Sequence, residues 1–479
     1  MASDDSGEND FCDEYLLLKP EEASFFDLFR LLFSSDQLEK GKFIDCPQGY
    51  DLKNFRRRWL IFVSIVAQKL LLLVRRPLAI LGNVVETWLN LLSENGGFFK
   101  LLVNLFTGRL VWPDKTSAKF RSILGHIDRR IDLDDNIKPD DTKYKAMLTM
   151  MASKFSYENE AFIQTNITEH WKMKFLKFYN FWNDYQKRYS TQGFILQDTQ
   201  ANPNMTVVAF RGTEPFAADD WQADVDISWY KLKNVGKAHR GFMKALGLQK
   251  KDGWPKEITD QHEFAYYTVR EKLKEILQTN EKAKFIVTGH SLGGALAILF
   301  PLVLVLHEEE WLLNRLEAVY TFGQPRVGDE EFGEFMKENL SKYNVKYFRY
   351  VYNNDLVPRV PFDDKTLYFK HFGPCLFFNS FYKGKVLEEE PNKNYFSLIW
   401  LIPKFLNAMW ELIRGFILPY LKGPDYKEGW VLRLWRGFGL IIPGIAAHAP
   451  QDYVNSTRLG SMPSSYLPTQ DLEDYKKTT

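Results

Sequence analysis

One pentapeptide constrains this chain more than any other stretch: Gly289-His290-Ser291-Leu292-Gly293. An apolar, β-rich run at 284–288 leads into it, and a helical pattern at 292–306 leads out. A G-x-S-x-G between strand and helix is the setting of a nucleophile elbow, where a serine stands on a sharp, strained turn above a sheet. The flanking glycines let strand and helix pass closely without a Cβ clash. The helix that follows aims its positive end at the hydroxyl. Ser291 is therefore expected to be a catalytic nucleophile.

An elbow needs a sheet to stand on. Further apolar runs at 206–210, 316–322 and 345–352 read as buried strands, and 266–277 as a helix between them. Strands alternating with helices predict a mostly parallel α/β sheet. Trp171, Phe175, Phe178, Trp182 and Tyr185 recur at near-helical spacing and predict a core-facing helix within 169–189.

A serine hydroxyl needs a histidine base, and the base needs a carboxylate to orient it. In this type of sheet the order is serine, acid, histidine. The histidines after Ser291 are His307, His371 and His448. His307 ends the helix that leads away from the serine and reads as structural, which leaves His371 and His448. Asp355 stands just past the strand-like 345–352, where ligands and catalytic groups gather in open α/β sheets. Asp363 and Asp364 follow in a polar loop with no strand before them. The oxyanion donors expected are the N–H of Leu292, next to the nucleophile, and Thr213 at the end of the 206–210 strand.

Composition narrows the classes. The 62 Lys+Arg and 61 Asp+Glu leave a net charge of +1, so no basic field gathers nucleic acid. Cys12, Cys46 and Cys375 are widely spaced, with no CxxC, and suggest neither a disulfide framework nor a zinc site. The first ten residues are acidic and polar, without the basic and apolar regions of a secretory signal, so reduced thiols and synthesis in the cytosol are expected.

The aromatic load, 15% of residues, requires a core, a lipid surface or both. Behind a basic cluster of Lys53, Arg56, Arg57 and Arg58 runs an apolar stretch from Trp59 to Val74, broken by Arg75-Arg76-Pro77. As a helix it would be about 24 Å long, short of the roughly 30 Å of a hydrocarbon core. It predicts a helical hairpin kinked near Pro77, an interfacial helix lying in a lipid surface, or a buried helix pair packing on the next domain.

Four motifs together resemble the class 3, fungal-type triacylglycerol lipases, and within them the plant oil-body lipase branch. They are Val207-Val208-Ala209-Phe210-Arg211-Gly212-Thr213, Gly289 to Leu296, Thr321-Phe322-Gly323-Gln324-Pro325-Arg326-Val327-Gly328, and Asn354-Asp355-Leu356-Val357-Pro358-Arg359. Phe369 to Gly373 and His448 to Asn455 add to the match with the oil-body branch. The resemblance implies an α/β-hydrolase fold with Ser291 as nucleophile, Asp355 as orienter, His448 as base, and Thr213 with Leu292 as the oxyanion hole. His239 matches a family position outside the triad and reads as structural. No metal or organic cofactor is implied.

Relative to compact fungal members, about 365–446 is an apolar insertion before the histidine. Leu398, Ile402, Phe405, Met409, Leu412 and Phe416 form a helical stripe there, with Lys404, Arg414, Arg433 and Arg436 interspersed. Such an element suits insertion into a lipid surface. The two apolar regions, 59–106 and 395–442, could instead pack on each other, giving one lipid-binding face or a dimer interface. Residues 214–221 lie where family lids begin. The expected organisation is a polar segment at 1–50, a lipid-associating helical region at 51–140 and the hydrolase at 141–479.

The expected activity is hydrolysis of long-chain triacylglycerols at a lipid surface through an acyl-enzyme. The alternatives are a phospholipase or galactolipase with the same chemistry, and a lipase-like scaffold without turnover. The implied partners are acylglycerol and the lipid droplet, or a membrane surface, met from the cytosol by peripheral or monotopic association. A homo-oligomer is compatible, and nucleic acid is not expected.

Overall fold

A computed structural model describes residues 11–33, 42–47, 52–200, 204–249, 253–258, 261–361, 369–393 and 400–461. Asp363, Asp364, Leu398 and the first ten residues lie outside these ranges. The strands are β1 (Cys12–Leu18), β2 (Ile44–Asp45), β3 (Lys174–Asn183), β4 (Arg188–Asp198), β5 (Met205–Phe210) and β6 (Trp229–Leu232). They continue with β7 (Gly236–His239), β8 (Lys284–His290), β9 (Leu316–Phe322), β10 (Lys346–Tyr352), β11 (Cys375–Phe378) and β12 (Gly384–Leu387).

Eight of them form one sheet in the order β12-β11-β10-β9-β8-β5-β4-β3. The centre, from β5 through β8, β9 and β10 to β11, is parallel, and both edges are antiparallel. Every residue of β5 is buried, as a strand covered on both faces requires. Together with the elbow at its centre, this is the α/β-hydrolase fold. Part of the apolar insertion extends it, since β11 and β12 complete one edge.

The helices begin with α1 (Phe25–Phe33), α2 (Phe55–Glu94), α3 (Phe98–Phe106), α4 (Ile123–Ile127) and α5 (Tyr144–Phe155). Next come α6 (Glu160–Thr165), α7 (Ala218–Val225), α8 (Arg240–Leu246), α9 (Ala265–Gln278) and α10 (Leu292–Leu306). The last are α11 (Glu310–Leu313), α12 (Glu330–Lys342), α13 (Leu401–Lys422), α14 (Trp430–Phe438) and α15 (Pro450–Leu459). On one face of the sheet the core is filled by α8, α9, α10 and α12, through residues such as Phe242, Leu273, Leu299 and Phe332. On the other face it is filled by α5 and α15, through Met147, Met151, Tyr453 and Val454.

A second sheet, β2-β1-β6-β7, joins the first described strands to β6 and β7. Leu16 of β1 pairs with Trp229 of β6, and the Leu18 N–H donates to Ser228 Oγ at 2.9 Å.

The structure departs from the sequence reading at three places. First, the aromatics of 169–189 lie largely on a strand, β3, and not on a helix. A bulge between Phe175 and Lys177 inserts one residue, so Phe175 and Phe178, three apart, pack into the same cluster. A bulged strand thus mimics a helical spacing.

Second, there is no hairpin at Pro77. α2 is one helix of 40 residues with Pro77 inside it, about 60 Å long. The proline removes one N–H, and the carbonyl it leaves, on Leu73, belongs to an exposed residue that water can reach. Both halves of the helix are held by the same body. Ser64 Oγ donates to the Val225 carbonyl at 2.8 Å, and Asn90 Nδ2 donates to the Arg121 carbonyl at 2.8 Å.

Third, the cations expected beside the lipid-facing stripe of α13 and α14 turn inward: Lys404, Arg414 and Arg436 are buried. The stripe itself faces out, with Ile402, Phe405, Met409 and Phe416 exposed. The two apolar regions approach each other at one end, where Trp430 and Leu89 line a common cleft. Among the described residues no helix is long and apolar enough to cross a membrane.

Candidate active site

Ser291 has φ 59° and ψ −131°, the left-handed strain of an elbow, between the last residue of β8 and the first of α10. The turn depends on its glycines. A Cβ on Gly289 would lie 2.1 Å from the Gly293 carbonyl carbon, and one on Gly293 would lie 2.2 Å from the Phe210 carbonyl oxygen. The Ser291 N–H donates to the Phe322 carbonyl at 2.9 Å, fixing the elbow to the end of β9.

Beyond β10 the chain turns at Asn353 and reaches Asp355, which is fully buried. Its Oδ1 accepts from the Val357 N–H at 2.9 Å. Its Oδ2 accepts from His448 Nδ1 at 2.8 Å and from the Tyr453 hydroxyl at 2.5 Å. With Nδ1 donating, Nε2 of His448 keeps its lone pair. That nitrogen is buried and has no hydrogen-bond partner among the described residues. The elbow and this pair meet at Gly323, the residue after Phe322. Its φ is +60°, and a Cβ there would lie 2.9 Å from His448 Cε1 and 3.0 Å from Asp355 Oδ2.

The residue before the serine holds His448. His290 Nε2 donates to the His448 carbonyl at 3.0 Å, and the two rings stack with centroids 4.5 Å apart. His290 Nδ1 must then accept, and it does so from the Tyr157 hydroxyl at 2.9 Å. Burial, and then the neighbouring His448, hold the His290 pKa well below the usual range, so it stays neutral.

The 211–213 backbone passes directly over the elbow: a Cβ on Gly212 would lie 2.9 Å from Ser291 Cβ. Thr213 Oγ1 donates to Asp224 Oδ2 at 2.8 Å, and both residues are buried. Burial pushes the Asp224 carboxyl up to about 7, with the Thr213 bond opposing and Asp220 adding. Leu292 opens α10, where a backbone N–H has no partner inside the helix. Thr213 and Leu292 therefore flank Ser291.

The other histidines lie elsewhere. His371 Nε2 donates to the Pro358 carbonyl at 2.7 Å in a buried cluster with Arg349 and Glu390. His307 is held between Tyr266 and the Trp254 carbonyl. His239 caps α8 and bonds the Asp226 carbonyl.

Access to Ser291 is closed in this conformation, with the residue 2% exposed. Residues 214–217 and α7 pack against α2. Gly82 sits flush on Phe216, where a Cβ would come within 2.6 Å of Phe216 Cβ. Arg75 of α2 pairs with Asp219 at 3.6 Å. A cavity of about 310 Å³ lies between α2 and this segment, lined by Glu86, Lys115, Tyr157, Glu214 and Phe216.

Sequence reasoning missed Tyr453, Asp224 and Tyr157 as parts of the site. Tyr453 carried a signal, since it sits five residues after His448 within the stretch from His448 to Asn455 that the resemblance rests on. Asp224 and Tyr157 reach the site only through the fold. Among the described residues no cluster of His, Cys, Asp or Glu could hold a metal ion.

Residues 207–365 match the family model described as Lipase (class 3). The chain is 44% identical to Triacylglycerol lipase OBL1 of Arabidopsis thaliana, over 93% of this chain and 95% of the relative. It is 38% identical to Triacylglycerol lipase OBL1 of Ricinus communis, again over 93% and 95%. Among solved structures it is similar to the native Rhizomucor miehei lipase propeptide complex. That match is 25% identical over 50% of this chain and 67% of the other, with a TM-score of 0.35.

Proposed function

The chain belongs to the class 3 lipases, and from that premise we propose that it hydrolyses triacylglycerol through Ser291, His448 and Asp355. The observation that carries this reading is the buried His448 Nδ1 to Asp355 Oδ2 bond of 2.8 Å beside the Ser291 elbow. It fixes the tautomer that leaves Nε2 to take the serine proton. Oγ then attacks the ester carbonyl. The oxyanion is met by the N–H groups of Thr213 and Leu292, each worth about 3 to 4 kcal/mol in the transition state. His448 returns its proton to the leaving glyceride oxygen, forming the acyl-enzyme. Water, activated by the same histidine, releases the fatty acid.

The same reading places the enzyme on a lipid droplet or membrane surface, met from the cytosolic side. Its support is the apolar surface that this fold leaves bare. Phe26 of α1, Leu73 of α2, Phe99 and Phe106 of α3, and Ile402 of α13 are each at least 70% exposed. Large apolar side chains left this exposed suit a lipid interface. The relatives named triacylglycerol lipase favour the neutral lipid as substrate over a polar one.

The test is fatty-acid release from emulsified triacylglycerol, phosphatidylcholine and monogalactosyl lipid by wild type and Ser291→Ala. Release from triacylglycerol, lost in Ser291→Ala, is expected. Preference for a polar lipid would keep the mechanism and replace the substrate. Turnover that persists in Ser291→Ala would overturn the assignment of the nucleophile.

A further inference from the structure

α13 is amphipathic in the unusual sense: its apolar face looks out and its charged face looks in. Glu411 and Arg414 are 3% and 4% exposed, while Leu406, Met409 and Ile413 of the same helix stand in solvent. Buried charges are costly unless paired, so what they pair with is informative.

Glu411 Oε1 accepts from Asn353 Nδ2 at 2.7 Å. Asn353 has φ +41° and stands two residues before Asp355. Its N–H donates to the Phe378 carbonyl at 2.7 Å and its carbonyl accepts from Arg359 Nη2 at 2.9 Å, so Glu411 completes a set of bonds around a left-handed residue. Arg414 Nη2 donates to Asp452 Oδ1 at 2.8 Å. Arg436 of α14 donates to both Asp452 oxygens at 3.1 Å and to Glu428 at 2.6 and 2.8 Å. Asp452 lies four residues after His448 and just before Tyr453, which bonds Asp355.

We infer that α13 and α14 form an arm that sets the triad from behind, with Glu411 and Arg414 as positioning residues for Asp355 and His448. This rests on the triad proposed above. Glu411 governs the turn that presents the acid. Arg414 and Arg436 govern the first turn of the helix that follows the base. The insertion that carries the outward apolar face is thus the element that grips both catalytic loops. A lipid surface that seats α13 seats the acid and the base with it.

The experiment uses the full chain and a soluble ester, p-nitrophenyl butyrate, so that lipid binding does not enter. It compares kcat, KM and Tm for Glu411→Leu, Glu411→Gln, Asn353→Gly and the double variant Glu411→Leu/Asn353→Gly, beside Ser291→Ala. Glu411→Leu is expected to lower kcat about tenfold or more with KM within about twofold. Glu411→Gln, whose amide oxygen can accept the same bond, should recover most of the rate. Asn353→Gly keeps the left-handed φ and removes the partner amide. It should lower kcat alike and carries the test if Glu411→Leu does not fold.

The double variant should be no slower than the slower single, the mark of one shared interaction. A folded Glu411→Leu or Asn353→Gly with wild-type kcat would overturn the arm, as would losses that simply add. If Ser291→Ala itself turns over, the triad reading fails. If Ser291→Ala is inactive while Glu411→Leu is unimpaired, only the arm fails.

Discussion

Tyr453 Oη and His448 Nδ1 share one acceptor, Asp355 Oδ2, and the tyrosine is the nearer at 2.5 Å. The Tyr453 oxygen in turn accepts from the Tyr352 N–H at 3.2 Å, which anchors it to the end of β10. Burial and the Asp355 charge push the phenol pKa well above its usual value, so the hydroxyl remains a donor. The proposed acid is therefore locked by a group from the same helix that follows the proposed base.

Tyr453→Phe should keep the packing and remove the lock. A lost hydrogen bond to a charged group is worth about 1.5 to 3 kcal/mol, so kcat/KM should fall about tenfold or more, with the protein still folded. Kinetics on a soluble ester beside a melting curve check this. A folded variant with unchanged kcat/KM would remove Tyr453 from the account.

His290 offers a second point of control. His290→Phe keeps a ring stacked on His448 but cannot donate to its carbonyl. The expected result is a fall in kcat of about tenfold, the equivalent of about 1.4 kcal/mol, with little change in KM. Tyr157→Phe should cost less, because it removes a bond one step further from the base. Equal and large losses of folded protein in both variants would mark the pair as purely structural.

Asp224 gives a pH prediction. Burial raises its carboxyl to about 7 in the fold, from an ordinary aspartate value of 3.8. The native state then holds a proton that the unfolded chain releases, so this group's contribution to stability falls as pH rises from about 4 to about 7 and is flat above. Asp224→Asn should remove that slope, which is at most about 1.4 kcal/mol per pH unit. Denaturant unfolding of both proteins across this range measures it. Parallel curves would contradict the assignment.

The outward face of α13 separates lipid binding from chemistry. Ile402, Leu406 and Met409 are exposed and make no bond to the triad loops. Changing all three to Ser should leave soluble-ester kcat within about twofold. Turnover of emulsified triacylglycerol should fall at least tenfold, since even one buried apolar side chain is worth about 1.5 to 3 kcal/mol at an interface. Equal turnover on the emulsion would show that this face does not meet lipid.

The sequence announced the elbow, β9 and β10 because short apolar runs closed by glycine or by turn residues have few other ways to fold. The position of Asp355 was legible for the same reason, as a carboxylate just past a strand. The choice between His371 and His448 was not open to local pattern and rested on resemblance; in the structure His448 bonds Asp355, whereas His371 bonds the Pro358 carbonyl. What pattern could not reach was direction. The spacing of Phe175 and Phe178 counts the extra residue of a bulge as if it were helical rise. The stripe on α13 gives its two faces but not which one looks inward, and Glu411, Arg414 and Asp452 decide that through partners far away in the chain.

The central claim is that His448, oriented by Asp355, activates Ser291 to cleave a triacylglycerol. Its most direct measurement is fatty-acid release from an emulsified triacylglycerol by wild type, His448→Ala and His371→Ala, each shown to be folded. The account predicts that His448→Ala loses turnover by about 10⁴-fold or more, while His371→Ala keeps the wild-type mechanism. Release that survives in His448→Ala, or is lost in a folded His371→Ala instead, would contradict it.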